Sequence, residues 1–116
     1  MNNIKIYHNP RCSKSRKTLE LIEQQGHQPE IIKYLDTPPS ITEIEKILSL
    51  LNFQPRDLMR KNEAEYKENN MADVSLSDAE LIALMHKYSK VIERPIVICN
   101  NKAVIGRPPE SVLDII

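Results

Sequence analysis

The sequence predicts an α/β fold in one domain, with strands at the two ends of the chain and a helical insertion at about 40–88. Three observations carry this. Short apolar runs rich in Ile and Val stand at 4–7, 30–34, 95–99 and 103–105. Helix-period apolar residues fill the middle. At 116 residues the chain is long enough to bury a core unaided, and one domain is the expectation.

Each element has a local cause. Ile4-Lys5-Ile6-Tyr7 reads as a buried strand. Residues 13–25 read as a helix whose apolar face uses Leu19, Leu21 and Ile22, with Gly26 as its C-cap. Glu30-Ile31-Ile32-Lys33-Tyr34 is a second strand, and a helix between two short strands suggests a parallel β-α-β unit. Thr37-Pro38-Pro39 breaks the chain, and Ser40 caps a helix carrying Ile41, Ile44, Leu48 and Leu51. The stretch 55–76 is polar, with helical turns expected near 56–60 and 63–69. Ser77 and Glu80 form a capping box, opening a helix that buries Leu81, Leu84, Met85 and Tyr88. Pro95–Cys99 and Ala103–Ile105 flank Asn100-Asn101-Lys102, and Asn tolerates positive φ, so this reads as a β-hairpin. Pro108-Pro109-Glu110 starts a last short helix through Leu113. The order β-α-β, helical insert, β-β-α is that of a thioredoxin-like fold with a mixed four-stranded sheet and an enlarged middle.

Composition narrows the function. Apolar and charged fractions of 41% and 28% are those of an ordinary globular chain. Sixteen basic residues balance sixteen acidic ones, which argues against nucleic acid as a partner. No apolar run is long enough to span a bilayer, so no membrane role is expected. Met1-Asn2-Asn3-Ile4-Lys5 does not look like a leader, so the expected location is cytoplasmic, with Cys12 and Cys99 as free thiols.

The chemistry points to one stretch, His8-Asn9-Pro10-Arg11-Cys12-Ser13-Lys14-Ser15-Arg16. Cys12 falls where a strand hands over to a helix N-terminus. Free N–H groups and the positive end of the helix dipole meet there and favour a thiolate or a bound oxyanion. Lys14, Arg16 and Lys17 crowd a first turn where cations are disfavoured, a conflict that a bound anion resolves. A buried, inert cysteine is the alternative, but Cys12 stands outside the strand among Arg11, Lys14 and Arg16. His8 could stabilise the thiolate as an imidazolium, orient the loop as a neutral ring, or do neither. His27 and His86 carry no assigned role.

Spacing excludes neighbouring chemistries. A dithiol redox site needs Cys-x-x-Cys, and the second position here is Ser15; a cysteine phosphatase needs Cys-x5-Arg, and that position is Thr18. A redox cycle at Cys12 must borrow a second thiol, either external or from Cys99, which reads as a packed strand residue. Arg60, Arg94 and Arg107 stand out by setting, since guanidinium forks bind tetrahedral oxyanions bidentately. If Pro95 is a cis-proline leading into its strand, Arg94 lies close to Cys12. Arg56 reads as a solvated surface residue.

His8-Asn9-Pro10-x-Cys12-x-x-Ser15-Arg16 resembles the active-site motif of the glutaredoxin-linked ArsC-type arsenate reductases. Leu58-Met59-Arg60-Lys61-Asn62, Glu93-Arg94-Pro95-Ile96-Val97 and Gly106-Arg107-Pro108 extend the resemblance over nearly the whole chain. It implies a single thioredoxin-like ArsC domain over 1–116, with Cys12 attacking arsenate. Arg60, Arg94 and Arg107 would bind the oxyanion, and His8, Ser15 and Arg16 would support the thiolate. It further implies glutathione as co-substrate, glutaredoxin as partner, no bound cofactor, no metal and a monomer. Cys12-Ser13-Lys14-Ser15 departs from the Cys-Gly-Thr-Ser of resistance-determinant enzymes and is similar to the chromosomal branch. Two other readings stand beside it. One is a monothiol glutathione-dependent transferase, which Cys-x-x-Ser permits. The other is a regulatory binding module similar to the Spx regulators, which share the fold and bind RNA polymerase.

Overall fold

Alternation along Ile4–His8 (β1) puts Ile4, Ile6 and His8 on one face and Lys5 and Tyr7 on the other. In the computed structural model, which describes residues 3–116, this strand is central to a four-stranded sheet of order β2-β1-β3-β4. Met1 and Asn2, two of the residues behind the leaderless reading, lie outside the described residues. The other strands are Glu30–Lys33 (β2), Ile96–Cys99 (β3) and Lys102–Ile105 (β4). β2 runs parallel to β1, with His8 beside Lys33, and β3 and β4 are antiparallel to their neighbours. The two-residue turn Asn100-Asn101 joins β3 to β4, with Asn100 in the left-handed region at φ 57°. Lys102, expected in the turn, instead opens β4 opposite Cys99.

The fold is thioredoxin-like, and its chain forms two compact units. Met1–Thr37 with Arg94–Ile116 makes the first. Register sets Ile4 against Cys99 and Ile6 against Val97, and the helix Ser13–Gln24 (α1) adds Ile22 to the same core. Val112, from a 3-10 segment at Pro109–Asp114, completes it. That segment replaces the expected last helix and packs on α1. Full burial of Ile6 and Ile22 contributes about 1.5–3 kcal/mol each. Cys99 is buried here, the packed strand residue its sequence setting suggests.

Pro38–Glu93 is the second unit. Ile41–Leu51 (α2) and Asp78–Lys87 (α4) both begin with complete capping boxes, Ser40 with Glu43 and Ser77 with Glu80. Between them lie a 3-10 turn at Pro55–Leu58 and the short helix Ala64–Glu68 (α3), near the expected turns. The packed faces differ in detail from expectation. Ile41, in the first turn of α2, is 45% exposed, while Ile47 is buried. In α4, Ile82 is buried and Leu84 and Tyr88 are only partly so. Arg56 is not a solvated surface residue. Its guanidinium donates to the Tyr66 hydroxyl (3.2 Å) and to the carbonyls of Met71 (2.7 Å) and Asp73 (2.6 Å), clasping the polar stretch. Met59 bridges Ile92, so 58–60 and 91–93 run side by side. Among the described residues no helix is long and apolar enough to cross a membrane.

Candidate active site

The loop that presents Cys12 is built by Asn9. Its carbonyl accepts the Cys12 N–H (3.0 Å), its Oδ1 accepts the Arg11 N–H (3.0 Å), and its own N–H donates to Ser15 Oγ (3.0 Å). An Asx turn of this kind is a local side-chain preference of Asn, and only the four residues 9–12 separate the strand from the helix. Cys12 is the N-cap of α1, with extended backbone at φ −92° and ψ 121°. Its carbonyl accepts the Arg16 N–H, and the sulfur faces the N–H groups of the first turn.

Four opposing influences set the thiol. Burial pushes its pKa up. The backbone N–H of Ser15, the Arg94 guanidinium by hydrogen bond and charge, and the Lys14 N–H outweigh that, and Cys12 is held below the ordinary cysteine value. Arg107 adds a longer contact, with Nη2 3.6 Å from the sulfur, while its Nε donates to the Arg94 carbonyl at 2.8 Å. One arginine thus holds the backbone of the other, and both face the same thiolate. The Arg94–Pro95 peptide bond is cis, as the sequence setting suggested; Arg107–Pro108 is cis as well, which the sequence did not signal.

Behind the sulfur, His8 Nδ1 and Ser15 Oγ share a buried hydrogen bond of 2.6 Å. Burial first, then the positive charges of Lys33 and Arg16, lower the His8 pKa. Burial thus disfavours the imidazolium, and the Nδ1–Oγ bond joins the ring to the loop through Ser15. Arg16 reaches back to donate from Nη1 to the Pro10 carbonyl (2.9 Å), tying the helix to the loop. The first unit thus brings together His8, Cys12, Ser15, Arg16, Arg94 and Arg107. Arg60 lies in the second unit, where Nε meets Glu63 (3.2 Å) and Nη1 meets Glu93 (2.6 Å).

Sequence reasoning missed three residues here. Asn9 was part of the motif but had no role. Thr18 is fully buried, with Oγ1 donating to the Lys14 carbonyl (2.8 Å) and approaching the Gly106 carbonyl (3.5 Å). Gly106 donates its N–H to the Pro95 carbonyl (2.9 Å), and a Cβ there would collide with Thr18 Oγ1 and lie 2.7 Å from Pro95 Cγ. It keeps the segment before Arg107 pressed against α1 and Pro95. Its rarity was the available signal, since the chain has only two glycines.

Residues 7–115 match the sequence pattern of the ArsC family. The chain belongs to that family. A Haemophilus influenzae arsenate reductase is 48% identical over 112 residues, covering 96% of this chain and 97% of the relative. An Escherichia coli K12 protein described as uncharacterized, YfgD, is 52% identical over 114 residues, covering 97% and 96%. Among solved structures, an arsenate reductase from Vibrio cholerae superposes with a TM-score of 0.96 at 51% identity, covering 98% of each chain. The ArsC fold seen there is the one that carries the Cys12 loop, and these likenesses extend across both units of the chain.

Proposed function

We propose that the chain is an arsenate reductase acting through the Cys12 thiolate. The observation that carries this is the sulfur itself, a thiol held below its ordinary pKa and faced by Arg94 and Arg107. A thiolate among cationic forks suits attack on a tetrahedral oxyanion, whose charge those groups bind while it loses an oxygen. The names of relatives at 42–48% identity over nearly the whole chain support the substrate.

In the proposed cycle Cys12 displaces an oxygen from arsenic(V), which leaves as water or hydroxide. Glutathione displaces a second oxygen to form a mixed thiolate on arsenic. A glutaredoxin thiol then attacks the glutathione sulfur. The glutaredoxin–glutathione disulfide leaves while the pair of the broken S–As bond stays on arsenic, reducing it to arsenic(III) on Cys12, and hydrolysis of the remaining S–As bond releases arsenite and the thiol. The external thiols are needed because Cys99 is buried and no second cysteine lies in the loop. The family resemblance assigns Arg60 to oxyanion binding beside Arg94 and Arg107. The reading takes residues 1–116 as one functional domain, a cytoplasmic monomer without a bound cofactor.

The test is arsenate-dependent NADPH oxidation coupled through glutathione, glutathione reductase and glutaredoxin, with each component omitted in turn. Turnover requiring arsenate, glutaredoxin and Cys12 is expected, and Cys12→Ser abolishes it. Folded protein that reduces glutathionylated peptide but not arsenate would replace this reading with the thiol transferase.

A further inference from the structure

Thr18 stands one turn along α1 from Lys14, fully buried, and faces the segment that carries Arg107. Its Oγ1 donates to the Lys14 carbonyl at 2.8 Å and lies 3.5 Å from the Gly106 carbonyl. A helical threonine readily bonds back to its own helix, so the first contact by itself implies no function. The second reaches 88 positions along the chain. It falls on the peptide unit that sets Arg107, because the Gly106 carbonyl and the Arg107 N–H share one rigid plane.

That plane is held at both ends. Its oxygen meets Thr18, and its N–H donates to the Ile105 carbonyl at 2.8 Å. One peptide earlier, the Gly106 N–H donates to the Pro95 carbonyl at 2.9 Å. From this backbone the Arg107 side chain sends Nε to the Arg94 carbonyl (2.8 Å) and Nη2 to within 3.6 Å of the Cys12 sulfur. Cys12 caps α1 and Thr18 lies within it, so one helix carries both the sulfur and the side chain that spaces Arg107 from it. All of these residues belong to the first unit. The fit is tight, since a Cβ on Gly106 would collide with Thr18 Oγ1 and lie 3.0 Å from its Cγ2. A methyl in place of the hydroxyl needs about 3.3–3.6 Å from a carbonyl oxygen, and the Lys14 carbonyl stands at 2.8 Å. Turning away from Lys14 brings that methyl to the Gly106 backbone. Either the helix carbonyl or the Gly106 segment then yields, and the spacing between α1 and Arg107 changes.

We infer that Thr18 is a positioning residue for Arg107, its hydroxyl fixing the distance between the Gly106–Arg107 peptide and the helix that carries the sulfur. The inference rests on the proposed function for its catalytic meaning, since there Arg107 binds the oxyanion that Cys12 attacks.

Charge-selective alkylation tests it without arsenate. Anionic iodoacetate and neutral iodoacetamide react with the same thiolate, so the ratio of their rates at Cys12 cancels its ionisation and reports the positive charge beside the sulfur. At low salt, Arg107→Ala should lower that ratio by about fivefold, the value of one charge at this range in a water-like medium. Thr18→Val should lower it by about threefold, and Thr18→Ser, which keeps the hydroxyl, should stay near wild type. In an Arg107→Ala background Thr18→Val should cause no further fall. Thermal melts confirm folding, and Thr18→Ala, which opens space where valine fills it, repeats the cycle if the valine variant does not fold. An equal fall in both backgrounds overturns the inference, because general loosening of the site would act without Arg107. So does no fall in Thr18→Val, a Thr18→Ser ratio as low as that of valine, or an unchanged ratio in Arg107→Ala. A wild-type chain that fails to reduce arsenate yet shows the coupled fall loses the reductase reading and keeps this one. Arsenate turnover without the coupling does the reverse.

Discussion

Replacing Ser15 with alanine isolates the hydrogen bonds behind the nucleophile. Ser15 is fully buried, and its Oγ accepts the Asn9 N–H at 3.0 Å and bonds His8 Nδ1 at 2.6 Å. Alanine keeps the helix and the Ser15 N–H that faces the sulfur, so the change is confined to those two bonds. A buried group left without its partner costs about 1–3 kcal/mol. Two such groups set the scale, and alanine's better helix propensity returns roughly 0.5 kcal/mol. The expected loss is about 1.5–5.5 kcal/mol. Urea unfolding followed by circular dichroism should show a lower midpoint at an unchanged m-value. The titration midpoint of Cys12 alkylation should move little, because the backbone N–H remains. A stability loss below about 0.5 kcal/mol would refute the reasoning, since neither buried bond could then be as described.

Further outcomes follow from the same geometry. Alkylation of Cys12 by iodoacetamide should titrate below the ordinary cysteine value, and Arg94→Ala should raise the midpoint, because it removes both a hydrogen bond and a positive charge from the thiolate. An unchanged midpoint in Arg94→Ala would remove that arginine from the site. His8 has a folded pKa depressed below 6.5, so the unfolded chain takes up this proton first as pH falls. Its share of stability is complete above pH 6.5 and is lost as pH falls through the folded pKa; His8→Asn should flatten that part of the stability–pH curve, read by urea midpoints from pH 7.5 to 5. Gly106→Ala should destabilise by about 1–3 kcal/mol through overpacking against Thr18 and Pro95. Thr18→Ala in the same chain should recover part of the loss, and additive losses in the double-mutant cycle would show that the two sites do not touch.

Much of the fold was legible because its causes are local. The Ile-rich strands, the Asn100-Asn101 turn and the Ser77–Glu80 capping box each rest on residues within four positions of one another. The Cys12 loop was legible for the same reason, since a strand end at His8, a turn residue at Asn9 and a helix start at Ser13 fall within six consecutive positions. The limits showed at the faces. Ile41 and Ile47 lie on α2 at spacings that periodicity alone scarcely separates, and the packed partner decided which of them is buried.

The sequence by itself determined the candidate nucleophile, the class of fold that carries it and the arginines that are candidate anion ligands. Tertiary structure alone decided how those arginines are used. Arg107 holds the Arg94 carbonyl and approaches a sulfur 95 positions away. Arg56, expected to be a solvated surface residue, clasps the polar stretch, and Arg60 is bound to a glutamate 33 positions away. A long cationic side chain can reach any of several partners, and its own neighbours in sequence do not favour one over another. Only the packing of distant strands and turns sets which acceptor is within hydrogen-bond range.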